Sequence, residues 1–418
     1  MIISFNTGKI NTTNSGGGNL QQKKVTITEN GLDVVLPDNG FNGISTLYIK
    51  TNVEGGGSSF KDFSSIGYDD EENIAMNQQM DNDLEYSKTL YDKWNVSSTK
   101  LSFEYDYNLV YPPLIDTSNV TDFTNFFREC YKVQYIPKYD FTKGEKLNSC
   151  FNACKFKYCD ISHWDTSNIK DNSALFANCG QLLSADLSKN DWSSLTVSTS
   201  IFNACSKLKS ADVTNLIKAQ TSVQDMFNTC VVLTSIVGLD SWDVSNVSDF
   251  YETFSECKEL PNEVFKQIEG WKVVKPTRFT GTFYNCKKLT DLDLSGWRTS
   301  TLTNVNSMFT YDMYLTDLNI TGWDLSKITN TSSWFSSCSG LVNLKFGYDI
   351  KYSFSLSNSS KLTEESLLSV LNGLYDYVGN GVSVPSSSYG KLTLGSTNLA
   401  KLTDEQKAIA TLKGWTLS

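Results

Sequence analysis

The sequence is short of the residues that most often carry chemistry. Its 418 residues hold one histidine, His163. Any Ser-His-Asp or Cys-His nucleophile arrangement would have to use that single side chain. It lies in His163-Trp164-Asp165-Thr166-Ser167, inside a repeated unit whose equivalent positions are Gly296 and Gly322, and so reads as an exposed turn residue. No C-x-x-C pair occurs among the ten cysteines, which removes the usual zinc spacings. There is no G-x-x-x-x-G-K-(S/T) loop and no dinucleotide fingerprint. No metal or cofactor is expected.

Long apolar runs and basic clusters are absent too. No stretch nears the roughly 20 apolar residues that span a bilayer, so membrane insertion is not expected. The segment from Met1 to Ile10 lacks a basic region, a sustained apolar region and a cleavage site, which points to folding in a cytoplasm. Lys and Arg number 36 against 46 Asp and Glu, giving a net charge of -10. Nucleic-acid binding needs clustered positive charge and is not expected. The acidic balance suits a particle that resists self-association.

What is present is a ladder. Phe-x-x-Cys recurs at Phe127/Cys130, Phe151/Cys154, Phe176/Cys179, Phe202/Cys205, Phe227/Cys230, Phe254/Cys257 and Phe283/Cys286. It lapses at Phe309/Asp312 and returns at Phe335/Cys338, with successive Phe residues 24 to 29 positions apart. A near-constant period of this size marks a solenoid, whose units bury their apolar faces only against each other.

After the cysteine comes Leu289-Thr290-Asp291-Leu292-Asp293-Leu294-Ser295-Gly296-Trp297, repeated as Leu315 to Trp323 and echoed at Phe156, Cys159, Ile161 and Trp164. This L-x-x-L-x-L spacing predicts one short strand per coil, with its apolar side turned inward. Asp-x-Ser-x-(Val/Ile) follows the Trp, and the Ser/Thr/Asp cluster there predicts a turn and a capped helical turn ending at the Phe. Eight of the ten cysteines sit on the ladder. Stacked coils place such residues about 4.8 Å apart with parallel Cβ vectors, which fits a disulfide poorly. They read as buried free thiols.

The rest of the chain divides around this repeat. Residues 1–22 are polar and Gly-rich, either a flexible tail or a docking arm. Residues 23–57 alternate as strands and read as a small β module serving as an anchor. Residues 58–108 read as a helical N-terminal cap, with Asp69 to Glu72 ahead of helix-spaced apolar residues to Trp94. Residues 109–352 are the solenoid and 353–418 a C-terminal cap, with helices beginning near Thr363 and Thr403. The expected fold class is thus an α/β leucine-rich-repeat solenoid with a small N-terminal β module and helical caps. No heptad stalk is present to enforce a trimer, though the chain remains open to homo-oligomerisation.

The units Trp242-Asp243-Val244-Ser245-Asn246-Val247 with Phe254 to Cys257, and Asp116 to Val120 with Phe127 to Cys130, resemble the surface-protein leucine-rich repeats of the BspA type, found in Bacteroidales and Mycoplasma. That resemblance implies adhesion rather than catalysis. Val25 to Ile44 is similar to short β modules of phage structural proteins, and Leu402 to Ser418 resembles the ends of repeat proteins from Bacteroides (crAss-like) phages. Together these imply a non-enzymatic virion protein, a head or tail fibre or decoration protein. Residues 1–57 would attach it to other virion proteins, and the repeat face would bind a bacterial surface protein or glycan. The alternatives are a bacterial cell-surface adhesin and a glycan-cleaving enzyme on a solenoid scaffold. The candidate ligand face is the outward side of the strands: Asp160, Asp186, Asp212, Asp293 and Asn319 in one column, Asp291 and Asp317 in the neighbouring one. Such columns could bind glycans or cations, or simply keep an open strand face wet.

Overall fold

The computed structural model describes the backbone of residues 23–27 and 32–36, and residues 100, 102–107, 117–133, 136 and 139–418. The expected arm at 1–22, most of the module at 23–57, the helix expected across 69–94 and the solenoid's opening at 109–116 lie outside the described residues. Lys23–Ile27 (β1) and Leu32–Leu36 (β2) pair antiparallel, with Val25 opposite Val34.

From residue 117 the chain winds as a stack of parallel coils. One wall is made of three-residue strands in register. Ser184–Asp186 (β3), Ser210–Asp212 (β4) and Ser235–Val237 (β5) form one parallel sheet. Asp291–Asp293 (β6), Asp317–Asn319 (β7) and Asn343–Lys345 (β8) form another. The middle residue of every strand is buried and its neighbours face outward, as period-two alternation requires.

The opposite wall is not helical, contrary to the capped helical turn expected before each Phe. In the coil of Phe127, the N–H groups of Phe123, Asn125, Phe127 and Glu129 donate to carbonyls of the next coil at 2.7–3.0 Å. The intervening N–H groups of Phe126, Arg128 and Cys130 reach back three residues within the same coil. Half the donors are therefore committed to a neighbour and no i→i−4 ladder can form. Two residues per coil adopt positive φ to achieve this, such as Ser149 and Ala153, or Ser200 and Ala204. Left-handed backbone costs a residue with a Cβ about 1–2 kcal/mol. In the coils from Phe127 to Phe309 each such residue recovers part of that by donating its N–H across the coil interface. Ala204 sits at φ 61, so Ala204→Gly should stabilise the fold by about 0.5–1 kcal/mol, after glycine's greater chain entropy is subtracted. Chemical denaturation checks this.

The interior is a stack of rings. Phe103, Phe127, Phe151, Phe176, Phe202, Phe227, Phe254, Phe283, Phe309 and Phe335 follow one another at centroid separations of 5.4–6.0 Å, nearly parallel beyond the first pair. A second file runs through Trp242, Trp271, Trp297 and Trp323 at 5.7–6.3 Å. None of the ten cysteines is joined in a disulfide. Each ladder thiol donates to the carbonyl of the Phe one coil earlier, as Cys154 does to Phe127 at 3.0 Å and Cys230 to Phe202 at 3.1 Å. Burial pushes the thiols of Cys154, Cys179 and Cys230 well up, and that of Cys205 to about 12.

The strand wall is interrupted where continuity was expected. Between β5 and β6 the coil carries a short helix, Asn262–Lys266 (α1), in place of a strand. Two sheet edges would otherwise lose their partners. Side chains on and just after α1 take over. Gln267 Nε2 donates to Ile236 O at 3.0 Å, and its Oε1 accepts from Leu239 N–H at 3.2 Å. Asn262 Oδ1 accepts from Thr290 and Asp291, and Glu269 Oε1 from Asp293. Gln267→Ala should leave a buried carbonyl and amide unmatched and cost about 1–3 kcal/mol, read by chemical denaturation.

The same device ends the wall. Glu364–Gly373 (α2), capped by Thr363, lies against β8, where Ser366 Oγ accepts from Leu344 N–H and donates to Val342 O. Beyond it Phe354–Ser355 (β9), Lys391–Thr393 (β10) and Thr416–Leu417 (β11) make a third parallel sheet. Gly395–Leu399 (α3) and Asp404–Leu412 (α4) complete the chain, α4 with a capping box between Thr403 and Gln406. Lys413 Nζ donates to the carbonyls of Leu371, Asn372 and Leu374 at 2.7–3.1 Å, closing the C-terminal end of α2. Among the described residues no helix is long and apolar enough to cross a membrane.

Candidate recognition walls

The strand wall brings the expected acidic columns together only within each sheet. Asp186 pairs in register with Asp212, and Asp291 with Asp317 and then Asn343. Asp293 continues to Asn319 and Lys345. Asp160 lies on a coil with no assigned strand, and α1 separates Asp212 from Asp293. No single track runs the length of the solenoid.

The carboxylates of the first column have a local task. Asp186 Oδ1 accepts from the N–H of Ser188 at 2.9 Å and its hydroxyl at 2.6 Å. Asp293 does the same with Ser295, Asp212 with Thr214, and Asn319 with Thr321. Asp160 accepts from Ser162 N–H. This is an Asx-turn that ends β3, β4, β6 and β7 and starts the next corner. Burial raises the Asp293 carboxyl, but the Ser295 hydrogen bonds, Asn319 and Lys345 outweigh it and leave the group below its usual range. Asp165, Asp243 and Asp324 repeat the motif after the Trp, and Asp122, Asp171 and Asp249 before the Phe. Much of the acidic excess is therefore corner chemistry. Asp291 differs: Lys266 pairs with it first, Asn262 Nδ2 also donates, and its carboxyl is lowered. Among the described residues no group of three or more His, Cys, Asp or Glu is placed to hold a metal ion. His163 is exposed beside Trp164.

The turn wall holds what column-by-column reading of the strand face passed over. Tyr251, Tyr284 and Tyr311 stand on three consecutive coils, with Tyr284 edge-on to Tyr311 at 5.6 Å. Arg278 lies over the Tyr251 ring at 4.3 Å and forms a two-pronged pair with Asp249. Glu252 Oε2 accepts from Asn228 Nδ2 at 2.8 Å, and Glu256 accepts from Asn285 Nδ2 at 3.0 Å. The hydrogen bond to Glu252, then burial, pushes the Tyr251 phenol up to about 12. Three positions before, and one and two after, the ladder Phe are otherwise filled mostly by small or polar residues. Aligning those columns is the signal that would have found the tyrosines.

A leucine-rich repeat protein from Bacteroides ovatus ATCC 8483 is similar over 76% of this chain and 79% of its own, at 17% identity and a TM-score of 0.38. A leucine rich cell surface protein from Faecalibacterium prausnitzii A2-165 is similar over 65% of this chain and 81% of its own, at 15% identity and a TM-score of 0.24. No curated protein matches. The family described as "Mycoplasma protein of unknown function, DUF285" matches residues 112–216 and 221–346, more than half of the chain, and the chain belongs to that family.

Proposed function

We propose that the solenoid is a non-catalytic recognition scaffold, displayed at a surface and binding a bacterial surface protein or glycan through its outer walls. The observation that carries this reading is how its reactive groups are used. Thiols are buried against Phe carbonyls, and the recurring carboxylates close corners, while polar and aromatic side chains on the walls are held in place by neighbouring coils. Such walls are pre-organised, which lowers the ordering cost of binding. The purified chain should be retained by intact bacterial cells. Release of oligosaccharide from host polysaccharide would instead support the glycan-cleaving alternative.

Two settings suit such a scaffold. The likeness of both chain ends to phage structural proteins favours a virion fibre or decoration protein, attached through residues 1–57. The likeness of the repeat to BspA-type proteins favours a bacterial cell-surface adhesin. Mass spectrometry of purified particles and surface labelling of intact cells separate them: peptides from this chain are expected in one fraction or the other.

A further inference from the structure

We propose that the turn wall between Tyr251 and Tyr311 is the ligand-binding surface, and that its ligand is a neutral oligosaccharide of disaccharide length or more. This deepens the recognition reading above and rests on it.

The tyrosines are the first part of the argument. Tyr311 is 45% exposed and Tyr251 and Tyr284 are half-buried, on a solenoid that otherwise sends most of its aromatic rings inward. An aromatic face carries negative quadrupole charge and attracts the slightly positive C–H groups on a pyranose face. Arg278 covers one side of Tyr251 and fixes that ring's tilt. Tyr251 and Tyr311 are two coils apart, roughly 10 Å at the strand spacing, so one monosaccharide cannot touch both.

The polar groups are the second part. Glu252 is hydrogen-bonded to the Tyr251 phenol and Glu256 acts on Tyr284, and each is held by an amide from an adjacent coil, Asn228 and Asn285 respectively. Asn228 Nδ2 is shared between Asp225 and Glu252, and Asn285 Nδ2 between the two oxygens of Glu256, so the carboxylates are fixed in place and their remaining lone pairs are the acceptors offered to sugar hydroxyls. Lys258 and Arg278 offset part of the negative charge, pairing with Glu256 and Asp249. The remaining acidic character disfavours acidic sugars and nucleic acid. A protein partner fits less well, because interface cores are depleted in charge and here Arg278, Glu252 and Glu256 lie beside the rings.

The test uses the full chain, neutral cello-, malto-, manno- and xylo-oligosaccharides, and intact bacterial cells. Saturation-transfer NMR should detect at least one oligosaccharide. Tyr311→Ala and Tyr284→Ala should each weaken it about tenfold. Tyr158→Ala, which removes an exposed ring from the strand side, should leave it unchanged. Thermal unfolding of Tyr311→Ala should stay within a few degrees of the parent's, since nearly half of the residue is in water. Loss of binding in Tyr158→Ala but not in the turn-wall variants would overturn the location. Retention on cells that needs Tyr311, with no oligosaccharide bound, would overturn the ligand class in favour of a protein. Failure of the parent chain to bind cells or any sugar would overturn the recognition reading itself.

Discussion

Phe227→Ala should destabilise the solenoid by about 3–5 kcal/mol and weaken the coupling between its two halves. The ring is fully buried near the middle of the stack. It faces Phe202 at 5.6 Å and Phe254 at 5.9 Å, so one truncation damages two coil interfaces. In a linear array each unit is stabilised only by its neighbours. A gap in the middle therefore separates the cooperative blocks, whereas a gap at an end shortens one. Chemical denaturation followed by two probes should show non-coincident transitions in Phe227→Ala and coincident ones in the parent. Coincident transitions in both, with a loss below about 1 kcal/mol, would show that the ring stack is not what couples the coils.

Asp312→Cys or Asp312→Asn should stabilise the protein at neutral pH by about 2–3 kcal/mol. Asp312 occupies the rung where every neighbouring coil has a ladder cysteine, and it is fully buried. Its Oδ1 accepts from Cys286 N–H at 2.7 Å, while Oδ2 has no hydrogen-bond partner. Burial raises its carboxyl well above the usual range, and the single Cys286 hydrogen bond opposes this only in part. The folded pKa thus lies above the unfolded one. Below the unfolded value, near pH 4, both states are protonated and the acid imposes no ionisation penalty. As pH rises toward the folded value, the unfolded state ionises first, and stability falls by up to about 1.4 kcal/mol per pH unit. The advantage of Asp312→Asn should therefore be small near pH 4 and grow to a plateau as pH rises. Urea unfolding of parent and variant across that range measures it. An advantage independent of pH would mean that Asp312 acts through shape rather than charge.

The columns of Phe and Cys were readable because packing in a solenoid is a local repeat. A buried position recurs whenever the coil does, so period alone marks the interior. The helix starts at Thr363 and Thr403 were readable for a similar reason, since an N-cap needs a hydroxyl at one defined place. The break at α1 was not. Leu260-Pro261-Asn262-Glu263-Val264-Phe265 keeps enough apolar spacing to pass for a strand, and the 29 residues from Phe254 to Phe283, the longest interval, were its only trace. Gln267 and Ser366, which stand in for missing strand backbone, look like ordinary surface polar residues in sequence. The acidic strand columns were readable as columns, but their use as Asx-turns depends on which atoms each oxygen meets.

The amino-acid sequence by itself determined that the chain stacks, where its rings and thiols lie, and that its thiols have little reason to pair. Those features follow from periodicity and from geometry shared by every coil. Only the tertiary structure decided that the turn wall trades helical hydrogen bonds for bonds to the next coil, and that side chains from helices seal the ends of the sheets. It also brought tyrosines from three coils onto one surface. Each of these outcomes depends on contacts between residues some 20 to 30 positions apart, where an N–H has more than one acceptor within reach and only the assembled stack selects among them.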